Sequence, residues 1–209
     1  MLASVLKSRY RAEVPREVTK AIGELIIERY GIAADEAEIR WLGPEASDAT
    51  ASNRRADIET GLTRLRGLFP GLVTVESVFN VTRTARHREV YCRDWAITQS
   101  KIELPRGPIR QADFRISLAA SSQITMDNYI DPETIVVNPP GRPWACITHM
   151  PADGHLEIPG ILQVAFPMPN GRWEDYIDLY YEIPELRAYV SSDYVLNLRA
   201  EYRKRAMGF

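Results

Sequence analysis

The chain has 209 residues, 45% of them hydrophobic and 26% charged, with a formal net charge of −2 at pH 7. That length carries one well-cored domain, or one domain with an appended arm, and the composition excludes a wholly disordered chain. The near-neutral charge argues against a globally basic nucleic-acid binder, and no apolar run approaches the length of a bilayer span.

Two cysteines, Cys92 and Cys146, stand far apart and form no CxxC. They exclude a disulfide framework and a zinc ribbon, and read as reduced, partly buried thiols. Lys7, Arg9 and Arg11 interrupt the apolar residues of the N-terminus. The expectation is therefore a protein that remains in the cytoplasm where it is made, or leaves it inside a virion or other large assembly.

After Pro15, apolar residues recur at Val18, Ala21, Ile22, Leu25, Ile26 and Tyr30, the spacing of a helix with one buried face, and Gly31 is placed to stop it. "AEIRWLGP" (37–44) reads as a short strand closed by Gly-Pro, and "EASDATASN" as a polar loop. Ile58, Leu62, Leu65 and Phe69 then predict a second amphipathic helix, ended by "FPG" at 69–71.

From Val73 the period changes to two, with Val73, Val75, Ser77, Phe79 and Val81 on one face. "REVYCRDWAITQ" (88–99) and "ADFRISLA" (112–119) predict further strands. So do "TIVV" (134–137), "WACITH" (144–149), "GILQVAF" (160–166), "YIDLYYEI" (176–183) and "YVLNLRAEY" (194–202). Prolines such as Pro132, Pro139, Pro140, Pro143, Pro151 and Pro159 predict short strands joined by extended connectors. No βαβ repeat follows the second helix. The fold expected is α+β: two N-terminal amphipathic helices, then a mostly antiparallel sheet with extended Pro-rich connectors. One domain covers 1–209, with a helix-rich part at 1–71 and a β-rich part at 72–209. A hairpin arm near 83–93 and a tail at 199–209 complete it.

The stretch "ASNRRADIETGL" resembles the opening of the second helix in OmpA-like peptidoglycan-binding domains, where an Asn and an Arg-Ala pair stand. The likeness covers about a quarter of the chain and implies an αβαβ start. The family's His-Thr-Asp-type stretch is absent, with "WLGPEASD" in its place, so no site residue is carried over.

Three constellations could carry chemistry. In "THMPADGHLEIPG" (148–160), His149, Asp153, His155 and Glu157 share strand parity and are the right types for a metal, while His149, His155 and Glu157 could serve as acid–base groups. Pro151 and the Asp153-Gly154 turn break that strand, so a solvated hairpin tip is the competing reading. "RTARHREVYCR" (83–93) gathers Arg83, Arg86, Arg88 and Arg93 around His87 and Tyr91, a set suited to phosphate or single strands, or to a solvated hairpin. Finally, "WEDYIDLYYEIPE" (173–185) carries Glu174, Asp175, Asp178, Glu182 and Glu185 with Tyr180, and the tail carries Arg203 and Arg205. Opposed blocks of this kind can steer one subunit onto another, neutralise each other within one chain, or form a carboxylate site.

Short nucleophile, phosphate and cofactor motifs are missing, and "CITH" puts Cys146 and His149 on opposite strand faces. The function expected is structural or assembly work, binding copies of itself or partner subunits without a cofactor, as in a virion or phage tail. A small metal-dependent enzyme and a nucleic-acid-binding accessory protein are the alternatives.

Overall fold

Pro15 separates two helices: its fixed φ suits the entry to a helix, and it has no N–H to leave unsatisfied. A computed structural model describes residues 2–41, 44–79, 86–109, 115–116, 118–120, 142–168, 170–173 and 175–190. Helix α1 spans Leu2–Glu13 and α2 spans Arg16–Arg40. Helix α2 does not stop at Gly31. Beyond it, Ala33, Ala34 and Ala37 continue the buried face, and alanine favours the helix while letting α3 pack closely. The strand expected from 37 is therefore the last turn of α2. The expected polar loop is also helical, because α3 spans Pro44–Leu62 with a proline at its first position. The αβαβ start is not found: among the described residues α2 and α3 follow one another with no strand between. A single turn, α4 (Leu65–Leu68), leads into the sheet.

Among the described residues the sheet has six strands in sequence order: β1 (Val73–Phe79), β2 (Arg86–Cys92), β3 (Trp95–Lys101), β4 (Trp144–Ala152), β5 (His155–Ala165) and β6 (Tyr176–Asp178). Every neighbouring pair is antiparallel except β3–β4, which is parallel. The run 88–99 is two strands rather than one, turned at Arg93-Asp94 with Arg93 at φ 52°. Residues 115–116 and 118–120 are helical, which corrects the strand expected over 112–119. Only the start of 176–183 is strand: the Asp178 side chain accepts the N–H groups of Tyr180 and Tyr181 and caps a helical turn over Leu179–Glu182. The strands expected at 134–137 and 194–202 lie outside the described residues.

Helices cover one face of the sheet. Tyr10, Ile22, Ile26, Ile58 and Leu62 pack there on Val90, Trp95, Ile97, Ile147 and Val164, so one core draws on both 1–71 and 72–209. The α1 ring of Tyr10 meets Trp95 edge-on at 5.1 Å, and Glu13 accepts the Trp95 indole N–H at 2.9 Å. The other face packs Ala96, Trp144, Cys146 and Ala165 under Ile102, Ile109, Ala119 and Trp173. No helix among the described residues is long and apolar enough to cross a membrane.

Candidate functional site

Strand alternation sends Gln99 on β3 and His149 on β4 to the helix-covered face, where α2 supplies Tyr30 and α3 supplies Arg54 and Glu59. The Tyr30 hydroxyl lies 2.7 Å from His149 Nδ1, His149 Nε2 lies 2.8 Å from Gln99 Oε1, and Gln99 Nε2 lies 2.6 Å from Glu59 Oε1. The other Glu59 oxygen accepts the backbone N–H of Arg88 on β2. The Arg54 guanidinium sits 4.1 Å above the Tyr30 ring, interacts with its hydroxyl, and donates to the Leu156 carbonyl at 2.6 Å.

Donor rules give this chain a direction. A guanidinium can only donate and a carboxylate can only accept. Bonds therefore run from Tyr30 O–H to His149 Nδ1, from His149 Nε2–H to Gln99, and from Gln99 to Glu59, with the Arg54 guanidinium lying over the Tyr30 ring. The imidazole is held as the neutral Nε2–H tautomer. Burial, with the charges of Arg54, Lys101 and Arg115, drives its pKa down to about 3. Burial also raises the Glu59 carboxyl, against the opposing hydrogen bonds from Gln99 and the Arg88 amide. Arg54 is only 2% exposed, and among the described residues no carboxylate lies within ion-pair distance of it. Its charge is met at longer range by Glu157. The chain ties α2 and α3 to β2, β3 and β4 through buried polar contacts.

The expected ligand set is not brought together. Both nitrogens of His149 are engaged, by Tyr30 and Gln99. The Asp153-Gly154 pair turns the β4–β5 hairpin, with Gly154 at φ 73°, and Ala152 faces His155 across it. The next pairings are Pro151 with Pro159 and Met150 with Ile161, so residues 156–158 and Gly160 are extra on β5, while the two-residue turn itself puts residues of equal parity on the two strands on opposite faces. A Cβ on Gly160 would come within 2.8 Å of the Ala152 backbone, which is why a glycine stands beside this bulge. His155 is exposed and meets only Glu157, at 3.2 Å. No three His, Cys, Asp or Glu side chains converge to hold a metal among the described residues.

On β2, His87 is buried on the opposite face and pairs with Glu89 at 2.8 Å, and Glu89 also accepts the Tyr91 hydroxyl. Arg86 lies 3.8 Å over the exposed Phe79 ring. Arg83, Glu174, Arg203 and Arg205 lie outside the described residues.

The acidic block is met within the chain by the first two helices. Lys7 reaches Asp175 at 2.9 Å, Arg11 holds Glu182 with two bonds of 2.8 and 2.7 Å, and Arg16 holds Glu185. Arg16 draws the Glu185 carboxyl down to about 2. Asp178 is a helix cap, and Tyr180 donates to the Pro159 carbonyl at 2.5 Å. Sequence reasoning missed Tyr30, Arg54, Gln99 and Glu59 as site residues. A signal was present in the helical face 54, 58, 62, where a lone arginine interrupts apolar positions. No family model matches the chain, and no curated protein or solved structure shows significant similarity to it.

Proposed function

We propose that the protein is a structural or assembly subunit that binds copies of itself or partner subunits, in the cytoplasm or within a larger machine such as a virion or phage tail. The outer edge of β1 carries this reading. All seven residues of β1 pair with β2 on the inner side, and no strand among the described residues pairs with the outer side. The strand holds one charge, Glu76, and no proline or bulge, so it lacks the usual devices that keep an edge from pairing. It ends in Phe79, 46% exposed beneath Arg86, an aromatic–arginine pair of the type that anchors interfaces. An edge of this sort binds by adding a strand from a neighbour, with backbone bonds for affinity and alternate side chains for choice of partner. The acidic block is a weaker docking face, since Lys7, Arg11 and Arg16 already occupy it.

Sedimentation over a wide concentration range, at low and high salt, tests the reading. Association that survives salt and weakens about tenfold or more in Phe79→Lys supports it. A monomer at every concentration that captures no partner overturns it. Binding to single-stranded nucleic acid that collapses with salt would replace it with a role for Arg83, Arg86, Arg88 and Arg93.

A further inference from the structure

The Arg88 backbone N–H points to Glu59 on α3, away from β1. Ser77 stands opposite Arg88, so that pair exchanges no backbone bond. The bonded pairs of the ladder are therefore Thr74 with Tyr91, Glu76 with Glu89 and Val78 with His87. Alternation turns the N–H and C=O groups of Val73, Val75, Ser77 and Phe79 to the outer edge of the sheet. The Val73 amide is already used, because it donates to the Phe69 carbonyl at 3.0 Å in the turn that enters the strand. Among the described residues, nothing takes the amides of Val75, Ser77 and Phe79.

The free groups are thus centred on Ser77, and that placement selects a partner. A strand crossing the edge antiparallel to β1 brings outward residues against outward residues. When the crossing strand is a second β1 related by a two-fold axis, few registers remain. Full overlap pairs Val73 with Phe79, which asks for the occupied Val73 amide, and it sets Glu76 against its own copy, like charges directly opposite. Centring on Val75 pairs Val73 with Ser77 and meets the same occupied amide. Centring on Val78 leaves Val75 unmatched. A centre at Ser77 pairs Ser77 with its copy and Val75 with Phe79 at both ends. Every free outward group is then matched, and no occupied one is needed. The exposed Phe79 ring also lies beside the half-buried Val75 of the neighbour, an aromatic–β-branched pair on the helix-covered face. Glu76 comes opposite Val78 rather than opposite itself.

We infer that the β1 edge is occupied by the β1 strand of a second copy, antiparallel and two-fold about Ser77, so that two sheets join into one. This rests on the assembly reading and sharpens it: the spacing of free backbone groups chooses the partner, and their bonds hold it with Val75 and Phe79. A strand from another chain needs no such symmetry, and the test separates the two.

The test combines crosslinking and amide exchange on the whole chain. Oxidation of Ser77→Cys should join two copies, since Cα atoms paired in this way stand about 5.5 Å apart, within disulfide reach. Val75→Cys alone should give no crosslink, because its copy lies about 13 Å along the strand. Mixed with Phe79→Cys, it should crosslink. Both native cysteines are buried and stay out of the reaction. In wild type, the amides of Val75, Ser77 and Phe79 should gain about tenfold protection or more as concentration rises, while Val73 stays unchanged. Should a cysteine variant fold poorly, this wild-type exchange decides alone. Crosslinking through Val75→Cys in place of Ser77→Cys, or association that leaves the three amides unprotected, overturns the inference and leaves the assembly reading to another register or surface. Protection of the same amides by a different purified chain, in a protein that is monomeric alone, does likewise. A protein that stays monomeric and captures no partner removes the reading, and the inference with it.

Discussion

On the helix-covered face of the sheet, Gln99 and His149 find Tyr30 and Glu59 presented by α2 and α3, and their side-chain polar atoms are matched in one directed chain. On the opposite face, Thr148 and Gln163 stand directly across β4–β5 from one another, both buried. There, among the described residues, Thr148 Oγ1 and Gln163 Oε1 have no hydrogen-bond partner. The covering layers account for the difference. A helix carries long polar side chains at fixed spacing, so a tyrosine and a glutamate can be aimed into the seam. Among the described residues, the other face is met by Ile102, Ile109, Ala119 and Trp173, which add apolar area next to Thr148 and Gln163. One polar row should thus be costly to alter, and the other replaceable.

The sharpest way to break this contrast is acid. His149 titrates near 6.5 when unfolded and at about 3 when folded. The unfolded chain therefore binds more protons between those values. Stability from the neutral imidazole is complete above about 6.5 and falls by about 1.4 kcal/mol per pH unit as pH drops toward 3. Glu59 is shifted upward, and Asp57 is raised to about 6, so both work in the opposite sense. The difference between wild type and His149→Gln in urea unfolding isolates the histidine. We expect roughly 4 kcal/mol less acid sensitivity in the variant by pH 3.5, and parallel curves would show that burial does not govern His149.

A second, smaller effect should have the reverse sign. Replacing Thr148 by Val and Gln163 by Leu together removes two unmatched polar atoms from the second face. Thermal unfolding should show a neutral to stabilising change of about 1 kcal/mol. A loss of several kcal/mol would mean that the two faces do not differ in the way their hydrogen bonds indicate. The smallest effect belongs to the surface. Arg11→Ala breaks the two-bond contact with Glu182, and roughly 0.5 kcal/mol is expected, vanishing at high salt.

Much of the architecture was legible from periodicity, because burial on one face leaves period-two and period-3.6 traces. Val73 to Phe79, Trp144 to His149 and the face carrying Ile58 and Leu62 are cases. The end of α2 was not legible. Ala33, Ala34 and Ala37 are too small to mark a hydrophobic face, though they bury fully against α3. Nor could 176–183 be divided correctly, since Asp178 reads as one more polar residue until its side chain caps a turn. For the site, sequence placed His149 and His155 on a common parity and identified the Asp153-Gly154 turn. Across that two-residue turn Ala152 pairs with His155, so residues of equal parity on the two strands face opposite ways, and the extra residues 156–158 and Gly160 on β5 leave no local trace in the sequence. The partners of His149 lie 119 and 50 residues away in the chain, and no local pattern could join them.

The parallel pairing between β3 and β4 carries one more consequence. Strands β1–β3 and β4–β6 join their neighbours in local antiparallel pairings, while the two triplets meet only after the long segment between Lys101 and Trp144 has closed. Closing that distance costs chain entropy before any contact rewards it, so the seam is expected to form after the local pairings. Gln99 and His149 lie on its two sides. Their hydrogen bond is the chemical mark that the halves have docked.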